Sequence, residues 1–205
     1  MIRKQYQKLM TIFYDPFMKS TEKILIKHRS ELLQQVSGNI LEVGSGTGIN
    51  FDLYPKQNAH IYGIEPSLPM FKKAKKRLTN ESNISLFNIG IEDVLPQNKL
   101  PNQYDYIVSM LVLCTVKNAE KTAQLYHKLL KDDAKLLVLE HIHSTGKFYG
   151  KIQKLVNPIW KPFADGCNLT RRQDVILKNN GFEAIEEKYF NHGTDWYKAV
   201  MIKKH

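Results

Sequence analysis

Residues 39–50 read NILEVGSGTGIN: an apolar run with one acid, Ile40-Leu41-Glu42-Val43, then three glycines, Gly44, Gly46 and Gly48, in five positions. A strand that opens into such a loop lets backbone approach a ligand closely, because glycine lacks a Cβ and turns freely. The dinucleotide fingerprint G-x-G-x-x-G needs its third glycine where Ile49 stands, and no Gly-Lys-Ser/Thr follows to make a phosphate loop. The strand–loop–helix setting still suits a nucleoside-type ligand at the carboxyl end of the first strand.

Two acids narrow the ligand. Glu65 closes the segment IYGIE, 21 positions after Gly44. At that spacing an acid ending the second strand reaches ribose hydroxyls. Its carboxylate accepts two hydrogen bonds from a vicinal diol and repels a 2′-phosphate. Glu42 adds a second carboxylate two residues before the first glycine, where a pyrophosphate is disfavoured and a cationic amino acid group is favoured. The ligand is then a nucleoside joined to a positively charged group, a description that S-adenosylmethionine fits. The competing reading is a glycine turn with two incidental surface acids.

The chain of 205 residues suits one domain with a sizeable core. Its 42% hydrophobic and 24% charged residues are those of a globular protein. No window approaches the roughly 18–20 apolar residues of a membrane span. The opening MIRKQYQKLMTIFYDPF lacks the apolar region of a signal peptide, which reads as a cytoplasmic protein. Cys114 and Cys167 are distant and form no CxxC, so reduced thiols and no bound metal are expected. The net charge of +10 is spread along the chain. Its one short run, FKKAKKRL at 71–78, reads as the outside of an amphipathic helix. No nucleic-acid motif accompanies the charge, so nucleic acid is not an expected partner.

Along the chain, residues 2–36 read as helix with a break at Tyr14-Asp15-Pro16. Candidate strands NILEV, HIYGIE, ISLFNI, YDYIVSML and AKLLVLEH then alternate with helices around 48–54, 67–78 and 118–131. That rhythm is the signature of βαβ units, giving an α/β fold with a mostly parallel sheet covered by helices on both faces. After a helix near 170–180, FEAIEEKYF and DWYKAVMIKKH have no room for a helix between them. They must pair antiparallel through Asn191, His192 and Gly193. No repeat or linker divides the chain.

These motifs resemble those of the class I S-adenosylmethionine-dependent methyltransferases. Glu42–Gly48 matches that family's first motif, and Ile64-Glu65-Pro66-Ser67 with Met70 matches the second. The resemblance implies the Rossmann-like fold of that class, with seven strands and a C-terminal antiparallel hairpin. It also implies S-adenosylmethionine as cofactor and S-adenosylhomocysteine as product. It places Glu42, Gly44, Ser45, Gly46, Asn50, Glu65, Pro66 and Met70 at the cofactor, and GIEDVLP at adenine through the Ile91 amide and the Glu92 carboxylate. Gly90 stands where many members carry Asp, which leaves the acid to Glu92. YDYIVSMLVLCTV resembles the fourth strand and its exit, placing Met110 and Leu111 beside the sulfonium. Family lids imply a cofactor contact for the Tyr14 hydroxyl, within an N-terminal helical lid over 1–36.

More narrowly, LVLCTVKN, LEHIH and NPIWKPFADGCNLTR resemble the alkyl-thiol methyltransferases, and the opening LEVGSGTG…LYP also resembles the bacterial phospholipid N-methyltransferases. The expected acceptor is a small-molecule thiol or amine. Alternatives are phosphatidylethanolamine, a quinone-type carbon, or no acceptor at all in a protein that senses the cofactor. A nicotinamide oxidoreductase is disfavoured by Ile49 and the C-terminal hairpin. Methyl transfer from a sulfonium depends on positioning and water exclusion, and the acceptor must also lose a proton. His141, at the end of the fifth strand, is the leading base, with Asp165 in FADGCN as a second candidate or a substrate-orienting acid. His143 ranks below His141, and the two cysteines read as small buried residues rather than nucleophiles. Residues 147–163 set Phe148, Ile152, Leu155, Val156, Ile159 and Trp160 along a helix ending near Pro158. It reads as a lid over an apolar pocket, with lysines that admit peripheral contact with anionic membrane; plain core packing is the alternative. The chain is expected to be a monomer or homodimer.

Overall fold

A computed structural model describes residues 23–79, 82–95, 99–164 and 166–204. Tyr14, Asp165 and the expected break at 14–16 lie outside the described residues. The strands are β1 (Gly38–Val43), β2 (Ala59–Ile64), β3 (Ile84–Phe87), β4 (Tyr104–Met110), β5 (Leu130–Ile142), β6 (Phe182–His192) and β7 (Thr194–Lys203). They form one mixed sheet in the order β3-β2-β1-β4-β5-β7-β6. The α/β reading with a closing antiparallel hairpin therefore holds. Residue contacts group the chain into two compact units, with the boundary between Tyr106 and Ile107.

In the first unit, a helix over 23–33 (α1) buries Leu25, Leu32 and Leu33, the stripe that its apolar spacing dictates. β1 pairs parallel with β2, Ile40 opposite Ile61, and β2 pairs parallel with β3. The entry to β1 is fixed by Gly38, at φ 76°. A Cβ there would lie 2.5 Å from the Asp105 carboxylate, which accepts the Asn39 N–H at 2.8 Å. The glycines after β1 adopt left-handed φ values of 67°, 57° and 81°. The helix expected at 48–54 shrinks to one 3-10 turn, Phe51–Leu53. Gly48 is left-handed on one side, and Tyr54, preceding Pro55, is extended on the other, so no longer helix fits. Helix α2 (Leu68–Lys75) carries Pro69 in its first turn and Lys72, Lys73 and Lys75 in its last, where the helix dipole favours cations.

In the second unit, α3 (Ala119–Leu129) starts at Asn118, whose side chain accepts the Lys121 N–H. β7 pairs antiparallel with both β5 and β6. The hairpin is tighter than expected: both strands run to Gly193, which turns alone at φ 67°. Helix α4 (Lys147–Phe163) does not end near Pro158 but runs through Pro158 and Pro162. Pro158 and Lys154, whose carbonyl loses its partner, are both exposed, so water can serve the freed carbonyl. Its attachment is polar. Gln153 accepts the Ser144 N–H and donates to Ile142 O and Thr194 Oγ1, and Asn157 accepts the Leu169 N–H. Phe148, Leu155 and Ile159 are 71%, 79% and 68% exposed, which overturns core packing of this helix. Helix α5 is Gln173–Asn179.

The exit of β4 is strained. Leu111 has φ 62°, a region that L side chains rarely adopt. The turn aims the Val112 and Leu113 N–H groups at one oxygen of the buried Glu140, at 2.7 and 2.9 Å. Those two bonds offset the strain, while burial pushes the Glu140 carboxyl up to about 7 against their pull.

Two stability predictions follow from these turns. Gly38→Ala combines left-handed strain with a clash, and Gly193→Ala meets strain alone because nothing lies within 4 Å. By urea denaturation the first is expected to lose about 2–3 kcal/mol and the second about 1 kcal/mol. Glu140→Leu leaves two N–H groups without an acceptor and is expected to cost about 2–5 kcal/mol. Glu140→Gln, which keeps an acceptor oxygen, is expected to cost about 1 kcal/mol by the same measurement.

Candidate functional site

The first unit gathers the glycine loop and both acids singled out by the sequence. Glu65, just past β2 and buried, accepts the Gly46 N–H on Oε2 at 2.9 Å and the Ser67 N–H on Oε1 at 2.7 Å. It clamps the loop to the start of α2. Gly63 in β2 was missed by sequence reading. A Cβ there would lie 2.6 Å from Ser45 Oγ and 2.9 Å from Leu86 Cδ1, so both side chains pack close over residue 63.

Glu42 ends a buried polar chain: Arg29 Nη1 donates to Asn50 Oδ1 at 2.9 Å, and Asn50 Nδ2 donates to Glu42 Oε1 at 2.6 Å. Burial pushes the Glu42 carboxyl above its ordinary range, against the opposing pull of Asn50, Ser45, the Arg29 charge and Tyr54. Glu42 Oε2, Ser45 Oγ and Tyr54 Oη are buried neighbours, and none of the three reaches sound hydrogen-bond geometry. A buried carboxylate oxygen with unmet acceptor capacity suits an ammonium group and not a phosphate. This donor and acceptor set fits the amino acid end of S-adenosylmethionine. Arg29 and Tyr54 were also missed. The signal for Arg29 was available: a lone cation on the apolar stripe Leu25–Leu32–Leu33.

The remaining expected cofactor residues of this unit are dispersed. Met70 is buried in α2 and Pro66 is exposed. Ile91 is buried at the start of a 3-10 turn, Ile91–Asp93, and Glu92 is exposed. A Cβ on Gly90 would lie 3.0 Å from Glu92 Oε2, so the carboxylate folds back over that glycine.

In the second unit Met110 is buried and Leu111 makes the strained turn. His141 is buried in β5, and its Nε2 lies 3.0 Å from Cys167 Sγ. Cys114 completes the group: Cys114 Sγ, a His141 ring nitrogen and Cys167 Sγ all lie within 4.8 Å of one another. The fold thus joins cysteines that the sequence keeps apart, and removes the premise on which metal binding was discounted. Cys167 is half-buried, contrary to its reading as a small core residue. The Cys114 thiol donating to it, and then His141, pull its pKa down to about 4, against burial. The same contact with Cys167, together with burial, pushes the Cys114 thiol well above its ordinary value. Burial lowers the pKa of His141, but the Cys167 thiolate more than offsets this and leaves it raised. His141 is therefore engaged with sulfur and is not a free imidazole.

His143 lies past the end of β5, with Nδ1 3.0 Å from Gln153 Oε1. With Ile142, Arg172, Tyr189, Asn191 and Asp195 it lines a cavity of about 510 Å³ at the carboxyl ends of β5 and β6. Arg172 is held there by the buried Asp174, through Nε to Oδ1 at 2.9 Å.

Comparison with known proteins agrees with this geometry. The family described as "Methyltransferase domain" matches residues 17–187. Thiol S-methyltransferase TMT1A of Homo sapiens is 27% identical over 196 residues, 91% of this chain and 77% of that protein. An uncharacterized methyltransferase of Bacillus cereus is 31% identical over 187 residues, 82% of this chain and 84% of that protein. A solved Leishmania major SAM-dependent methyltransferase, 15% identical, superposes with a TM-score of 0.70 over 97% of this chain and 80% of its own. With the family matched over most of its length, the chain belongs to the methyltransferase-domain family and is a class I S-adenosylmethionine-dependent methyltransferase.

Proposed function

We propose that the protein methylates the sulfur of a small thiol. The observation that carries this reading is the similarity to thiol S-methyltransferase TMT1A along 91% of the chain. When bound, S-adenosylmethionine supplies a methyl group that the acceptor sulfur takes with its lone pair, the old bond's electrons staying with the departing thioether. Glu42 holds the ammonium of the amino acid end, supported by Asn50 and Arg29. Glu65 serves the ribose hydroxyls while it fixes the loop Gly44-Ser45-Gly46, and Ile91 with Glu92 serves the adenine. The acceptor's proton must leave, because a thiolate and not a thiol is the nucleophile. His141 contributes as part of the Cys114–His141–Cys167 group rather than as a lone base.

A second reading, a lipid-borne acceptor, is favoured by one observation. Helix α4 exposes Phe148, Leu155 and Ile159 beside exposed Lys151 and Lys154 and has no acid in its first turn. No helix among the described residues is long and apolar enough to cross a membrane.

The deciding experiment is transfer of labelled methyl from S-adenosylmethionine to 2-mercaptoethanol, an alkyl amine and phosphatidylethanolamine vesicles. Label in the thioether is the expected result. Label in lipid alone replaces the first reading with the second, and tight S-adenosylhomocysteine binding with label nowhere marks a sensor.

The Glu42 assignment predicts a pH dependence of its own. Burial raises its pKa, whereas the ligand's ammonium favours the ionised form, so binding expels a proton. S-adenosylhomocysteine affinity, measured by calorimetry, is expected to rise with pH through that raised value and then level off. In Glu42→Gln it is expected to be about 10–100-fold weaker and without that rise.

A further inference from the structure

The group formed by Cys114, His141 and Cys167 has no assigned task beyond the proton problem, and its composition is that of a soft-metal site. Three different segments supply it. Cys114 follows the strained exit of β4, with its carbonyl accepting the Asn168 N–H at 2.8 Å. That exit is itself held by Glu140, and by Arg171, whose Nη1 donates to Leu113 O and to Val116 O. His141 sits in β5 opposite Trp196 of β7. Cys167 follows Gly166, left-handed at φ 88°, and donates its N–H to Ala164 O at 2.9 Å. The Cys114 and Cys167 segments are tied to each other through that Asn168 bond and His141 is set by the β5–β7 pairing, so the ligand atoms converge before any ion arrives.

We propose that Cys114 Sγ, His141 Nε2 and Cys167 Sγ bind a thiophilic divalent metal, Zn²⁺, leaving its fourth position open to an exogenous thiolate. Zinc bonds of about 2.3 Å to sulfur and about 2.0–2.1 Å to nitrogen, at tetrahedral angles, need ligand separations of about 3.5–3.8 Å. The observed separations lie near that value: 3.0 Å between His141 Nε2 and Cys167 Sγ, and none above 4.8 Å in the group. Small side-chain rotations admit the ion. Two sulfurs and one imidazole nitrogen select zinc over magnesium or calcium, which take oxygen. Three protein ligands are the number found where zinc keeps a working position, whereas structural sites fill all four.

The occupant of the fourth position rests on the thiol reading above; the three-ligand site does not. An entering thiol displaces water from the metal. Its S–H bond breaks, a metal–sulfur bond forms and the proton passes to solvent, with no change in oxidation state. A metal-bound thiol is deprotonated at neutral pH, which meets the acceptor's need without a separate base.

The test uses the full chain, purified under reducing conditions and titrated anaerobically with Co²⁺ as a visible stand-in for zinc. The expected result is one Co²⁺ per chain, with a near-ultraviolet thiolate-to-cobalt band and tetrahedral visible bands that Zn²⁺ abolishes. Cys167→Ser, an isosteric change at a half-buried position, is expected to weaken the thiolate band by about half or more while still binding S-adenosylhomocysteine. Independently of any variant, Zn²⁺ is expected to shield both thiols from a disulfide reagent, and a chelator to expose them. Absence of a thiolate band, or an undiminished one in Cys167→Ser, overturns the metal site. Adding 2-mercaptoethanol to the Co²⁺ form is expected to strengthen and shift the band; an unchanged spectrum overturns the open position. A shifted band with no methyl transfer to thiols sinks the thiol reading and leaves this site standing.

Discussion

Everything near the glycine loop depends on a buried carboxylate that accepts backbone N–H groups from two directions. Glu65 takes one from Gly46 and one from Ser67, so the loop and the start of α2 are held by the same two oxygens. The left-handed glycines of that loop lose more conformational freedom on folding than other residues do. A charge-assisted bond at its centre offsets that cost. Glu140 repeats the device in the second unit, where two N–H groups converge on one oxygen and hold Leu111 in a conformation it would not otherwise keep. A strand-end acid here is a structural clamp first. A carboxylate offers about four lone-pair sites, so one acid can hold backbone and also meet a ligand.

This double duty explains what was legible in the sequence. The βα rhythm, the closing hairpin and the acids at 42 and 65 are local patterns, and local spacing carries them. Apolar runs bounded by glycines leave few alternatives to buried strands, and the short gap between β6 and β7 forbids a crossover. The pattern also overreached where local geometry intervened. The helix expected between strands at 48–54 is cut to one turn by the left-handed Gly48 and the extended Tyr54. At Pro158 the expected helix stop did not occur, because the carbonyl it releases belongs to an exposed residue.

What remained hidden depends on contacts distant in sequence. Gly63 looks like an ordinary strand glycine until Ser45 is seen against it. Arg29 reads as one cation among 30 until its partner is known to be Asn50, 21 residues away. The sulfur–imidazole group is the extreme case. Its members lie on three segments, and no spacing rule for metal sites covers intervals of that size. The two cysteines read as small buried residues because free cysteine is among the most buried residue types. Activation comes from each other and from a histidine on a central strand, and it takes opposite directions: Cys167 is drawn toward thiolate while Cys114 is held as thiol.

That asymmetry bears on the chemistry. Methyl transfer asks two things of a protein, a cofactor held by its charged end and an acceptor relieved of its proton. In the first unit burial raises the Glu42 carboxyl, a penalty that a neighbouring cation offsets. The second unit holds a compact polarisable group, with no carboxylate among its three members. Hard oxygen bases suit hard acceptors; two sulfurs and an imidazole suit soft ones. Burying such a group carries a desolvation cost, with the His141 ring edge-to-face with Trp196 at 6.3 Å between centroids. The cost is justified physically when the group is completed by a fourth partner that is itself soft, and an acceptor sulfur meets that requirement better than an amine nitrogen does.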